Sequence, residues 1–155
     1  MDLVQVIPAA KEHLEQLIEI EKSWDPVPWS RQIFQFEMAN PRNIFLVAII
    51  GEIVVGYGDI GLAEEEAHLY TLAITTAYQR KGIGRKLLVD LLEQAQRHHI
   101  RRVFLEVRKS NLKAQNLYFQ QGFHVTGVRK SYYIDNREDA ALMTLENLQC
   151  WVPVL

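Results

Sequence analysis

The sequence predicts an α/β fold built on a mixed sheet. Three observations carry that prediction. Strand-sized apolar runs recur along the chain, from residues 3–7 to residues 140–145. One stretch, from Ile83 to Ala95, repeats apolar residues at helical spacing. Strand-like and helix-like stretches then alternate in the order βααβββαβαββ, with no internal repeat, low-complexity stretch or linker between them, which predicts a single domain over residues 1–155.

Each element has a local reason. LVQVI (3–7) reads as a strand, and Pro8 suits the first turn of a helix in which Leu14, Leu17, Ile18 and Glu21 share a face through about Lys22. WDPVPWS (24–30) cannot be helix, because prolines stand at 26 and 28. Ser30 is placed to cap a second helix carrying Ile33, Phe34 and Met38, which Asn40-Pro41 ends. Residues 44–50, 52–62 and 67–75 read as strands, the first two joined by a turn near Gly51. The helix from about Gly82 to His98 follows, with Ile83, Leu87, Leu88, Leu91, Leu92 and Ala95 on one face. RRVFLEV (101–107) is a strand, and Leu112, Leu117 and Phe119 fit a helix from about Asn111 to Gln121, closed by Gly122. FHVTGVRKSYY and DAALMTLEN finish the chain as strands.

Composition bounds the function. The 155 residues fit one domain, and 48% hydrophobic residues suffice for a core. A net charge of −2 gives no ground for a nucleic-acid or membrane-surface partner. The single cysteine, Cys150, allows no internal disulfide and no cysteine-rich metal site, so no metal is expected. The N-terminal stretch has no basic leader before an apolar run, and the longest apolar run (44–50) falls far short of the ~20 residues of a membrane helix. These features suit a cytoplasmic protein.

Two glycine patterns compete as phosphate sites. In QRKGIGRKLL (79–88), glycines lie among cations directly ahead of the clearest helix. A helix N-terminus offers unpaired N–H groups and partial positive charge, and glycine lets a phosphate approach. The bland alternative is a tight turn with solvated cations. Gly56-Tyr57-Gly58-Asp59-Ile60-Gly61 matches the dinucleotide GxGxxG literally, but it lies in a strand-like stretch and leads into Glu64-Glu65-Glu66. A dinucleotide site needs that pattern to open a helix, so these glycines read as strand bulges or close packing. The three glutamates read as a solvated hairpin turn.

Strand, then Q-R-K-G-I-G, then helix resembles the acetyl-CoA signature of the GNAT superfamily, Q/R-x-x-G-x-G/A. LEVRKSNLKAQNLYFQQGF (105–123) resembles the second half of that family, and KSYYIDNREDAALM (130–143) resembles its N-terminal acetyltransferase branch. VPWS (27–30) matches the P-W-S of RimI-type enzymes. Over residues 3–147 the chain resembles the RimI-type ribosomal-protein alanine acetyltransferases, with the archaeal and eukaryotic catalytic subunits of N-terminal acetyltransferases close behind. The resemblance implies the GNAT fold: a mixed, twisted sheet with flanking helices, whose two central strands splay around acetyl-CoA. It implies acetyl transfer to a protein N-terminus, that of a ribosomal protein or of a broader set of chains. A lysine or small-amine acetyltransferase and a non-catalytic CoA sensor are the alternatives.

The resemblance also assigns residues. Glu106 matches the catalytic glutamate; by itself it reads equally as a strand carboxylate paired with Arg108 or Arg102. Tyr118 matches the tyrosine general acid, or packs in the core. Leu72, Ala73 and Ile74 would bind the pantetheine through their backbone. Arg80, Lys81, Gly82, Ile83, Gly84 and Arg85 would hold the pyrophosphate, and Asn111 would reach the pantetheine or serve only as a helix cap. Trp29, Tyr132 and Tyr133 would frame the peptide groove, or are ordinary aromatics. The family attacks directly from the amine, which leaves Cys150 no nucleophilic role. LQCWVPVL (148–155) lies beyond the matching motifs. It either packs on its own domain or forms a dimer contact, so the expectation is a monomer or a dimer.

Overall fold

The computed structural model describes residues 3–155, so the first two residues of the N-terminal stretch lie outside it. Its elements are β1 (Gln5–Pro8), α1 (Leu14–Trp24), α2 (Arg31–Ala39), β2 (Asn43–Ile50), β3 (Ile53–Ala63), β4 (Glu66–Ile74), α3 (Ile83–Arg97), β5 (Arg102–Arg108), α4 (Leu112–Gln120), β6 (His124–Arg129) and β7 (Ala140–Leu145). This is the order read from the sequence. The strands form one seven-stranded sheet in the order β1-β2-β3-β4-β5-β7-β6. The β4–β5 pair is parallel and the others are antiparallel, so the sheet is mixed.

Helices cover both faces. On one, the α3 stripe is fully used: Leu87, Leu88, Leu91, Leu92 and Ala95 are all 0% exposed and pack with Val55, Ile60 and Val103. Burying each such leucine contributes roughly 1.5–3 kcal/mol, which fixes α3 rigidly on the sheet. On the other face, Leu14, Leu17 and Ile18 of α1 and Phe34 of α2 pack on Phe45, Val47, Tyr57 and Ala73. Ser30 caps α2 as expected, its Oγ accepting from Ile33 N at 3.2 Å.

Three local expectations are corrected. Pro8 closes β1 instead of opening a helix; β1 is an edge strand, where a missing N–H is tolerated. A short 3-10 turn at Lys11–His13 intervenes, and α1 runs on to Trp24. Ile33, Leu112 and Phe119 sit on helices but are exposed, because these short helices bury only narrow stripes. The decoy glycines lie inside β3, as anticipated. A Cβ on Gly56 would meet Ile74 Cδ1 at 2.5 Å, and one on Gly58 would meet Leu91 Cδ1 at 2.7 Å, so both serve close packing.

The feature that positions a site is the parting of β4 from β5. They pair only at Glu66–Arg102, Ala67–Val103 and His68–Phe104. Beyond that, β4 stays with β3 as far as Ile74–Gly56, and β5 stays with β7 as far as Arg108–Ala140. The inner edges of both strands therefore diverge. A register shift opposite Asp59 and Ile60 leaves Tyr70 as the extra residue of β4, just where the parting begins. The tail folds back on its own chain: Gln96 donates to the carbonyls of Leu148 and Trp151, and Trp151 Nε1 donates to Gln121 O at 2.9 Å. Among the described residues, no helix is long and apolar enough to cross a membrane.

Candidate active site

Glu106 stands on β5 just past the last β4–β5 pair. Its neighbours Leu105 and Val107 are buried in the α3-side core, so strand alternation turns Glu106 to the opposite face. Neither arginine takes it. Arg102 binds Glu66 and Glu146, at 3.1 and 2.7 Å, and Arg108 binds Asp135 and Glu138, at 3.0 and 3.4 Å. The partner of Glu106 is His68 of β4, whose Nε2 lies 2.5 Å from Oε2. An ionised carboxylate only accepts, so in that state the His68 Nε2 carries the hydrogen. The His68 ring in turn stacks on Tyr70, with centroids 4.9 Å apart.

Tyr118 comes from α4, with its ring edge-on to Phe123 at 5.7 Å. It is 7% exposed, and burial first, then the neighbouring Tyr133, raise its pKa well above the usual phenol value. It is therefore a protonated donor throughout the neutral range. Asn111 caps α4, its Oδ1 accepting from Ala114 N at 3.1 Å. The cap and the cavity role coexist, because Asn111 also lines both cavities described below.

The loop ahead of α3 turns through Arg80 at φ 62° and Gly82 at φ 82°. Gln79 Nε2 ties it back to the end of β4, donating to Ile74 O at 3.1 Å. Gly82 stands at the N-cap position, and no side chain caps the helix. The first helical bond runs from Lys86 N to Gly82 O, which leaves the N–H groups of Ile83, Gly84 and Arg85 without helical partners. A Cβ on Gly82 would meet nothing within 4 Å.

Two cavities meet at Asn111 and Ala114. The outer one, about 520 Å³, is lined by Ile74, Arg80, Gly82, Gly84 and Arg85, and across from them by Lys113 of α4. The inner one, about 400 Å³, lies between the parted strands and holds Leu72, Glu106, Tyr118, Trp29, Tyr132 and Tyr133. Three of the expected residues line neither. Ala73 faces the α1–α2 core, Ile83 is 5% exposed in the α3 core, and the Lys81 ammonium lies 5.5 Å from the Tyr78 ring. Ala73 and Ile83 can reach a ligand only through their backbone.

The groove walls have identifiable supports. Arg108 lies 4.0 Å from the Tyr133 ring centroid while gripping Asp135 and Glu138, and Glu138 Oε2 accepts from Ser110 N at 2.7 Å. This fastens the tyrosine loop (130–139) to β5. Burial pushes the Tyr133 phenol up to about 12. On the other wall, Glu21 is 1% exposed and accepts from Trp29 N at 3.0 Å and from the Tyr57 hydroxyl. Burial raises its pKa. Sequence reading missed His68 and Lys113 in the site. Glu21 was visible as the one acid on the apolar stripe of α1, though not as part of a cavity.

A sheet that parts around an elongated gap, with an open helix start at one end and a carboxylate and a phenol inside, is the architecture of a CoA-dependent acyltransferase. Comparison with known families makes this specific: the chain belongs to the acetyltransferase (GNAT) family, whose model matches residues 14–123. It is 33% identical over 147 residues to ribosomal protein bS18-alanine N-acetyltransferase of Haemophilus ducreyi, covering 87% of this chain and 94% of that one. It is 38% identical over 120 residues to N-alpha-acetyltransferase RimI of Mycobacterium tuberculosis, covering 75% and 74%. Among solved structures it resembles the ribosomal-protein-S18-alanine N-acetyltransferase of Escherichia coli, with a TM-score of 0.86 and 28% identity over 94% of each chain. The protein is an acetyl-CoA-dependent N-acetyltransferase.

Proposed function

We propose that the chain acetylates the α-amino group of a protein N-terminus, with the N-terminal alanine of ribosomal protein bS18 as its substrate. One observation carries the reading: Glu106 is bound to a histidine, not to either nearby arginine, and shares a cavity with a protonated Tyr118. An α-amine suits such a site. Its reference pKa near 8 leaves on the order of one in ten neutral at pH 7, far more than for lysine near 10.4.

The N-terminus enters past Trp29, Tyr132 and Tyr133, where Glu21, Asp25 and Asp135 favour an ammonium. His68 occupies one oxygen of Glu106 and leaves the other to take the amine proton. The amine then attacks the acetyl carbonyl, the carbon–sulfur bond breaks, and Tyr118 protonates the departing sulfur. The unpaired inner edge of β4 at residues 72–74 holds the pantetheine. Arg80, Arg85 and Lys113, with the N–H groups of residues 83–85, hold the pyrophosphate. The open space at Gly82 and the uncapped helix start fit that group. Cys150, on the exposed tail, lines neither cavity and is not needed as a nucleophile. The folded-back tail suits a monomer, and a ribosomal substrate places the reaction in the cytoplasm.

The test is turnover on peptides with free and blocked α-amines. Free N-terminal alanine peptides are expected to be acetylated, and α-blocked peptides bearing lysine are not. Glu106→Gln and Tyr118→Phe are expected to lower kcat by about 10²–10⁴ while calorimetry shows CoA still bound. Equal turnover in both variants would remove their assigned roles.

A further inference from the structure

We infer that the Thr71 hydroxyl is a substrate-binding group that accepts a hydrogen bond from the attacking amine. The inference rests on the proposed acetyl transfer and adds a contact to it. Thr71 is 9% exposed, lines the inner cavity, and its Oγ1 has no hydrogen-bond partner. A buried hydroxyl left unpaired costs about 1–3 kcal/mol, so its retention there asks for a reason. Its surroundings supply none. The cross-strand neighbour, Asp59, is engaged with Asn43, whose Nδ2 reaches Asp59 Oδ1 at 3.2 Å and Glu37 Oε2 at 3.0 Å. Leu69 and Leu72, on either side, pack into the α3-side core.

Position gives the hydroxyl its use. Thr71 directly follows the Tyr70 bulge, on the stretch of β4 that has parted from β5. The bulge breaks the strict alternation, and Thr71 stays on the side of the sheet where Glu106 lies, within the same cavity. An amine that has surrendered one proton to Glu106 keeps other N–H groups. In a cavity closed off from water these need acceptors, or the amine's lone pair is not held toward the carbonyl. A hydroxyl accepts in any rotamer it adopts, and it offers no full charge that would retain the amine as ammonium.

The experiment compares Thr71→Val and Thr71→Ser with wild type on a panel of free α-amine peptides, α-blocked lysine peptides and small amines. The wild type's preferred amine tests the proposed function, and the Thr71 comparison is made on that amine. Valine has the same shape without the hydroxyl. The expected result is a rise of about tenfold in the amine KM, with kcat within twofold and acetyl-CoA affinity unchanged, because a contact made equally in ground and transition states moves KM alone. Serine is expected to restore most of the loss. The melting temperature of the valine variant is expected to stay level or rise, since an unpaired buried hydroxyl has been removed. A purely structural threonine cannot give weaker substrate binding together with undiminished stability. Unchanged kinetics in Thr71→Val would overturn the inference. So would a fall in kcat at constant KM, or a loss of activity matched by a lower melting temperature.

Discussion

At the scale of single residues, the carboxylates divide by surroundings. Glu106 has a histidine and a cavity, whereas Asp59 is 0% exposed on the sheet beside Glu37. Burial first, and the Glu37 charge second, push Asp59 from an ordinary 3.8 up to about 8. The folded chain thus keeps a proton there that the unfolded chain releases above its lower pKa. The stabilisation is full below 3.8 and is lost as the pH rises through about 8. The melting temperature of the wild type is expected to fall between pH 5 and pH 8, and Asp59→Asn to flatten that fall. Parallel melting curves for the two proteins would show that Asp59 holds no such proton. The site itself was legible only where it coincided with motifs. Glu106 and Tyr118 stand in E-V-R-x-S-N and A-x-x-L-Y, whereas His68 becomes a partner only once β4 and β5 are placed side by side. No local pattern announces that juxtaposition. Thr71 is still less visible, because its meaning lies in a bond it does not make.

At the scale of elements, the stripe from Ile83 to Ala95 told where α3 runs, and the glycine loop told what lies ahead of it. The bounds read from the sequence agree with α3 to within a residue, because its apolar face is long and unbroken. Shorter helices gave less: Ile33, Leu112 and Phe119 fit a helical period yet face solvent. The Y-Y…R-E-D-A segment gains a mechanical explanation, since Asp135 and Glu138 are the anchors that Arg108 grips. Gly82→Asp tests the loop. The new side chain meets nothing within 4 Å, so it clashes with no part of the fold. Holding a non-glycine residue at φ 82° costs roughly 1–2 kcal/mol, which lowers the melting temperature without unfolding the chain. The added carboxylate lies where a pyrophosphate is expected, so acetyl-CoA affinity is expected to fall at least a hundredfold by calorimetry. Unchanged affinity would place the pyrophosphate elsewhere.

At the scale of the whole molecule, the sheet is held on both flanks and open in its centre. The α1–α2 core braces one side of the parting and the α3 core the other. Periodicity gave the element order but could not give the parting, because hydrophobic alternation does not say where two strands stop pairing. Binding in the gap is expected to stabilise the native state alone. At a CoA concentration a hundred times Kd, the gain is about 2.7 kcal/mol, or roughly 5–10 °C in melting temperature for a chain of this size. A melting temperature indifferent to CoA would mean that the coenzyme does not engage the folded state. The inner margins of β4 and β5 are, in effect, two raw sheet borders facing each other inside one protein. Borders of that kind on an outer rim invite adhesion between molecules. Here they lie recessed beneath the tyrosine loop and the first turn of α4, where a slender extended ligand can thread between them and a neighbouring sheet cannot.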